Sequence, residues 1–364
     1  MRRITVKAGR KEYEVLIGSG LFGAAAGGGS GAASVAAETF RHIFKGTKAM
    51  IVSDDNVFPL YGAAVRASLR EAGFDVHEFV FPHGEGSKTL TTYGRLLEAL
   101  CEAGFTRDDT VAALGGGVTG DLAGFAAATY RRGAGFFQIP TTLLSCVDAC
   151  VGGKTGVDLP GGKNQAGCFY QPLGVLIDTD VLRTLPEEEY RNGCAEAVKT
   201  AVIAGEELFG MLQKKEIRDQ YEDVIAACIE LKKTYVKNDE RDRGKRRILN
   251  LGHTVGHAVE RCDGYRTPHG YAVAMGLAAV SRAAAAKKLL PEEECGKILG
   301  LLERYGLPTD LPYSAAQLNE AAGSDKKNTA GGMHLIVPRK IGKCEVRPVC
   351  REDFPEWLKL GGAS

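Results

Sequence analysis

His253 and His257 stand four residues apart in L-G-H-T-V-G-H-A-V-E, a stretch of helical periodicity, so both imidazoles fall on one helix face. His269 follows in P-H-G-Y-A-V, which gathers three of the chain's seven histidines into seventeen residues. Imidazole together with a carboxylate suits zinc with one coordination position left open, the arrangement of catalytic sites. Glu196, in G-C-A-E-A-V-K on a predicted helix, is the candidate carboxylate. Any one of these histidines alone reads as a helix cap or a core residue; the clustering is what favours a metal. A closed, cysteine-bearing structural site fits less well, because none of the ten cysteines forms a C-x-x-C pair.

A second pattern is Gly115, Gly117 and Gly120, a G-x-G-x-x-G placed after a predicted strand and before a predicted helix. Glycines there let backbone N–H groups approach a pyrophosphate at the positive end of a helix. The pattern alone is equally a tight glycine turn in a sheet protein. The usual acidic ribose ligand downstream is missing. Instead Ser53-Asp54-Asp55-Asn56 closes an earlier strand, and Asp54 either bonds a ribose from that strand end or caps the next helix.

A third pattern concerns anions. Lys154 and Lys163-Asn164 sit among glycines in a stretch read as loop, Arg132 lies in T-Y-R-R-G just before, and Asp148 is a lone acid among small and apolar residues. With Lys199, Lys232, Arg246 and Asn250, these donors outnumber what a neutral polyol needs, so an anionic substrate is expected, phosphate first.

These side chains require elements to hold them. Residues 2–17 alternate as a hairpin, and the small residues of 23–34 read as a surface loop without chemistry. Apolar strands at 49–53, 76–81, 110–114, 136–139 and 175–178 alternate with helices at 57–71 and 90–103, the rhythm of a parallel sheet flanked by helices. After Pro186 the pattern becomes helical at 187–214, 221–237, 253–262, 272–290 and 292–305. The expected fold is α/β: a Rossmann-like parallel-sheet domain over 1–185, then an all-helical domain over 186–364, with chemistry in the cleft between them.

Composition narrows the partners. The 364 residues carry a formal charge of +1, which gives no reason to expect nucleic acid or a membrane surface. No apolar leader core and no 18-residue apolar run occur, which with the unpaired cysteines points to a reducing cytoplasm.

Four stretches together resemble the 3-dehydroquinate synthase family: 113–172 (A-L-G-G-G-V-T-G-D-L-A-G-F through K-N-Q-A-G-C-F-Y-Q-P), N-G-C-A-E-A-V-K at 192–199, L-N-L-G-H-T-V-G-H-A-V-E at 249–260 and H-G-Y-A-V-A at 269–274. The resemblance implies bound NAD, one zinc ion (cobalt being the alternative) and a homodimer. It matches Glu196, His253 and His269 to metal ligands. It matches Asp54, Asn56, Glu85, Lys88, Gly115, Gly116, Gly117, Val118, Asp121, Thr141, Thr142, Lys154, Lys163 and Thr184 to NAD-contacting positions. Arg132, Asp148, Lys154, Lys163, Asn164, Lys199, Lys232, Arg246, Asn250 and His257 match positions around the substrate, with Arg132 reaching across from a partner subunit. Lys326 or Lys327 adds a further anion contact. The family reads H-G-E after its metal histidine; Tyr271 stands here in place of that glutamate, which puts the support of His269 in question.

The implied reaction converts 3-deoxy-D-arabino-heptulosonate 7-phosphate to 3-dehydroquinate and phosphate. It runs by transient oxidation at C5, β-elimination, re-reduction, ring opening and aldol closure, with His257 able to move protons. The rival readings are another sugar-phosphate cyclase such as a 2-deoxy-scyllo-inosose synthase, a metal-dependent polyol dehydrogenase similar to glycerol dehydrogenase, and a non-catalytic zinc or nucleotide-binding protein.

Overall fold

The computed structural model describes residues 1–23, 34–323 and 333–364. Most of the glycine-rich segment, 24–33, and both Lys326 and Lys327 lie outside the described residues. The backbone groups into two units, Met1–Leu185 with Lys232–Arg241, and Pro186–Leu231 with Asp242–Ser364.

The first unit is built on β1 (Arg2–Ala8), β2 (Lys11–Gly18), α1 (Val35–Ile43), β3 (Lys48–Asp54), α2 (Phe58–Glu71), β4 (Asp75–Phe81), α3 (Leu90–Glu102), β5 (Thr110–Gly115), α4 (Gly117–Thr129), β6 (Gly135–Pro140), β7 (Lys154–Leu159), β8 (Gly162–Phe169) and β9 (Gly174–Asp178). Seven strands form one sheet in the order β1-β2-β9-β6-β5-β3-β4. All neighbours are parallel except β1, which pairs with β2 as the expected hairpin. The central strands β5 and β9 are buried along their whole length, which is why they read as continuous apolar runs; the edge strand β1 alternates. Consecutive residues of one strand serve opposite faces. Phe136 packs with Val52, Phe81, Leu96 and Leu122, while Phe137 packs with Phe40, Phe44, Ile51 and Ile139.

From β3 the chain winds outward to β4, then returns to place β5 on the other side of β3 and continues to β6 and β9. The strand order therefore reverses between β3 and β5. In open α/β sheets the crevice beyond the carboxyl ends of the strands at such a reversal is where ligands bind. Asp54 ends β3 and Gly115 ends β5, so both sit there.

The second unit comprises α5 (Glu187–Ala204), α6 (Glu206–Lys214), most of α7 (Tyr221–Asn238), α8 (His253–Cys262), α9 (His269–Ala286), α10 (Glu292–Arg304), α11 (Ala315–Gly323), β10 (Met333–Lys340), β11 (Lys343–Val349) and α12 (Phe354–Leu360). Two details depart from the purely helical reading. The continuous helix expected over 187–214 is two helices, because Gly205 adopts φ +114°, which α-helical residues cannot. The unit also carries the antiparallel hairpin of β10 and β11, a short strand pair within an otherwise helical unit.

Candidate active site

Three helices of the second unit build the histidine site. α5 supplies Glu196 and Lys199, α8 supplies His253 and His257, and α9 begins with His269. The helices meet closely because small residues line their crossings. A Cβ added at Gly276 on α9 would lie 2.0 Å from the Gly252 carbonyl oxygen at the start of α8, and one at Gly256 would lie 2.9 Å from the Ala272 carbonyl oxygen. The Gly270 N–H donates to Asn192 Oδ1 at 2.6 Å, which ties the first turn of α9 to α5 and sets His269 opposite Glu196.

Glu196 Oε1 is 3.6 Å from His253 Nε2 and 3.7 Å from His269 Nε2. Ring centroids of His253 and His269 are 5.2 Å apart, and those of His253 and His257 are 5.4 Å apart. Glu196 is 1% exposed, and neither of its carboxylate oxygens has a hydrogen-bond partner, although Lys199 Nζ forms an ion pair with Oε2 at 2.5 Å. Burial opposes its charge, but Lys199, His269 and His253 outweigh burial and hold the carboxyl well below the usual carboxylate range. Burial keeps His253 well below the ordinary imidazole value against the pull of Glu196. His269 goes the other way: burial disfavours its cation, yet Glu196 and Glu260 together raise it to about 10.

Two groupings have ligand atoms all within 4.8 Å of one another: Glu196 with His253 and His269, and His257 with Glu260 and His269. The first fits a divalent cation better. A buried carboxylate oxygen facing two imidazole nitrogens is the donor set such an ion completes. Glu260 is the residue that sequence reasoning missed. Its signal was present, since positions 253, 257 and 260 follow the i, i+4, i+7 spacing of one helix face. Tyr271, two residues past His269, has Arg191, Glu188 and Glu187 as its charged neighbours, and its phenol is raised by burial. The carboxylate near His269 Nδ1 is that of Glu260, at 3.5 Å.

Arg246 and Asn250 lie on the short 3₁₀ turn Lys245–Asn250 that leads into α8, with Arg246 buried. His257 faces the same group of imidazoles one turn along α8.

In the first unit, α4 starts at Gly117 with Gly116 as N-cap and no side-chain cap, so its first-turn N–H groups have no side-chain acceptor. Gly115 is required by packing, since a Cβ there would stand 2.4 Å from Thr119 Oγ1. Val118 and Asp121 occupy the first turns of α4, and Thr141 and Thr142 follow β6 on the adjoining strand end. Thr141 Oγ1 is buried without a hydrogen-bond partner. An open helix N-terminus and an orphaned hydroxyl at the reversal point of the sheet fit a dinucleotide phosphate. The Asp54 side chain closes the turn ahead of α2, whose N-cap is Val57: its Oδ1 accepts from the N–H of Asn56 at 3.0 Å and of Val57 at 2.9 Å. Thr184 closes a 3₁₀ turn after β9 and bonds the Tyr61 hydroxyl.

The glycine-flanked lysines, read as loop residues from sequence, stand on the hairpin of β7 and β8. Lys154 opens β7; Lys163 and Asn164 lie near the start of β8, Asn164 at φ +55°. Lys88 joins them, donating to Asp121 Oδ2 and to Asn164 Oδ1, each at 2.6 Å, with Glu85 3.9 Å away. Lys163 Nζ is 4.0 Å from the same glutamate. Burial raises the Asp121 carboxyl, and Lys88 opposes that shift. Asp148, on the single π-turn Ser145–Ala149, accepts from Lys232 Nζ at 2.8 Å, so this pair forms from residues far apart in sequence. Arg132 is exposed, at φ +63° between Arg131 at φ +52° and Gly133 at φ +122°.

A family model described as 3-dehydroquinate synthase N-terminal matches residues 78–192, and one described as 3-dehydroquinate synthase C-terminal matches residues 193–328. The chain belongs to the 3-dehydroquinate synthase family. It is 42% identical over 327 residues to the 3-dehydroquinate synthase of Streptococcus suis strain 05ZYH33, covering 88% of this chain and 92% of that protein. The enzyme of Lactococcus lactis subsp. cremoris strain MG1363 is likewise 42% identical, over 87% of this chain and 91% of its own. Membership gives the chain 3-dehydroquinate synthase activity, a cyclisation of the shikimate pathway.

Among solved structures, a 2-deoxy-scyllo-inosose synthase superposes with a TM-score of 0.84 at 25% identity, over 98% of this chain and 99% of that one. The 2-epi-5-epi-valiolone synthase ValA of Streptomyces hygroscopicus subsp. jinggangensis 5008 gives 0.84 at 27% identity, over 99% of each chain. Glycerol dehydrogenase from Schizosaccharomyces pombe gives 0.58 at 17% identity, over 95% of this chain and 88% of its own, a likeness of fold alone.

Proposed function

We propose that this chain converts 3-deoxy-D-arabino-heptulosonate 7-phosphate with bound NAD+ and one divalent cation, the cation held by Glu196, His253 and His269. The observation that carries the proposal is the convergence of these three donors from three helices, with ligand atoms all within 4.8 Å of one another, on a carboxylate buried from solvent. The 2-deoxy-scyllo-inosose synthase structure is described with NAD+ and Co2+, and that of ValA with NAD+ and Zn2+, which supports both groups here. When bound, the dinucleotide accepts and returns a hydride while the cation polarises the substrate oxygen.

The chain's own residues do the rest. The N-terminus of α4 with Gly115, Gly116 and Gly117 receives the pyrophosphate, and Asp54, Asn56, Glu85, Lys88, Val118, Asp121, Thr141, Thr142 and Thr184 line the dinucleotide. Lys154, Lys163, Asn164, Lys199, Lys232, Arg246 and Asn250 neutralise and orient the substrate's phosphate and carboxylate. Asp148 fixes the Lys232 ammonium at 2.8 Å and keeps it aimed. His257 takes or gives a proton beside the other imidazoles. We assign Arg132, exposed on its left-handed turn, to the substrate of the neighbouring subunit in a cytoplasmic homodimer. Among the described residues no helix is long and apolar enough to cross a membrane, and none of the ten cysteines is in a disulfide.

The test is release of inorganic phosphate from the heptulosonate phosphate, with and without a chelator and with and without added NAD+. Chelation of the metal, or stripping of the bound dinucleotide without its readdition, is expected to stop turnover, with Zn2+ or Co2+ restoring it in the first case and NAD+ in the second. Full turnover by enzyme stripped of metal and dinucleotide would sink the proposal.

A further inference from the structure

His269 is held from both sides. Its Nε2 lies 3.7 Å from Glu196 Oε1, and its Nδ1 lies 3.5 Å from Oε2 of Glu260, a residue only 3% exposed. His253 repeats the arrangement with a different anchor: Nε2 is 3.6 Å from the same Glu196 oxygen, and Nδ1 is 3.2 Å from the Leu251 carbonyl. Both imidazoles thus present Nε2 to one carboxylate and rest Nδ1 on an acceptor behind them. An imidazole that donates from Nδ1 carries its lone pair on Nε2, and its ring plane is fixed by the acceptor. A backbone carbonyl does this for His253 at no cost in charge. His269 uses a buried carboxylate, which also makes the ring a stronger donor to a cation.

We propose that Glu260 is the positioning residue of the metal centre. It accepts from the Nδ1–H of His269, and so selects the tautomer and orientation in which Nε2 meets the cation shared with Glu196 and His253. The inference rests on the metal reading given above and deepens it. It also decides between the two groupings of ligand atoms: Glu260 stands behind a ligand and is not one itself.

The test is zinc affinity, measured on purified full-length holoenzyme by competition with a colorimetric zinc chelator, with NAD+ affinity measured alongside. Glu260→Ala is expected to weaken zinc binding about 10- to 100-fold while NAD+ affinity holds. Glu260→Gln keeps an acceptor without the charge and is expected to fall between wild type and Glu260→Ala, a partial rescue. Glu196→Ala is the reference, with a larger loss than either. Wild-type zinc affinity in Glu260→Ala, alongside a loss in Glu196→Ala, overturns the positioning role and leaves the metal reading standing. A loss in Glu260→Ala as large as in Glu196→Ala, with no rescue by Gln, overturns it in favour of direct ligation. Wild-type affinity in Glu196→Ala as well overturns the metal reading itself. If Glu260→Ala fails to fold, wild-type zinc affinity in Glu260→Gln overturns the proposal alone.

Discussion

A carboxylate buried like Glu196 would lose its charge to desolvation if it stood alone; Lys199 and two imidazoles keep it ionised, as the proposed cation site requires. Replacing one ligand therefore removes more than one contact. His269→Ala is expected to abolish zinc retention, measured by metal analysis after dialysis, and to lower phosphate release about a thousandfold, the several kcal/mol a metal contributes. NAD+ binding, followed by fluorescence titration, is expected to change little. Asp109 shows the same balance at a purely structural position. It is buried, and its oxygens accept from the N–H groups of Thr47, Lys48 and Thr106 and from the Thr106 hydroxyl, at 2.7 to 3.0 Å. Burial pushes this carboxyl up, but the hydrogen bonds outweigh burial and leave it lowered. A lowered folded value means that the stabilisation is complete above the unfolded value of about 3.9 and fades as pH falls through the folded one. Asp109→Asn is therefore expected to lose about 2–3 kcal/mol at pH 7. Urea unfolding of both proteins should show that gap closing below about pH 4; a gap that persists unchanged would contradict the assignment.

At the scale of elements, the proposed metal centre depends on how closely α8 and α9 approach. Gly276 meets the Gly252 carbonyl, where even a methyl group would sit at 2.0 Å, and backbone cannot yield as a side chain does. Gly276→Val is expected to separate the helices, cost about 3 kcal/mol or more in thermal or urea unfolding, and weaken zinc binding without touching a ligand. Much of this level was legible in the sequence. The i, i+4 histidines fell on a helix whose ends, His253–Cys262, match the periodicity, and the five apolar runs of the first half all became strands of the sheet. The hairpin of β7 and β8 was not legible, because its glycines hide the alternation; Gly156 and Gly167 are there since a Cβ on either would strike the facing strand at 2.5 and 2.1 Å. Gly205 likewise breaks a stretch of good helix formers that periodicity joins.

At the scale of the whole molecule, the proposed homodimer makes a prediction that no single chain can satisfy. If Arg132 completes the neighbouring subunit's site, Arg132→Ala and Lys199→Ala are each inactive, yet mixing them restores one intact site in every mixed dimer. Equal amounts, unfolded and refolded together, should recover about a quarter of wild-type phosphate release. No recovery, with mixed dimers present by mass, would place Arg132 in its own subunit's site. The turn that presents Arg132 is held from within the chain, since Arg107 donates to the Arg131 carbonyl at 3.0 and 3.2 Å.

Residue type and spacing alone determined the family and most elements, because helix faces and strand alternation are properties of local sequence. Tertiary structure decided which side chains share space. Lys88 joins Asn164 across 76 positions, Lys232 joins Asp148 across 84, and Glu260 rather than residue 271 backs His269. Such pairings depend on helix crossings and strand order, which single-sequence periodicity does not encode. Asp54 marks the boundary between the two: its sequence allowed a cap or a ribose ligand, and the fold sets it at the end of β3 beside the sheet reversal, where its Oδ1 closes the turn ahead of α2.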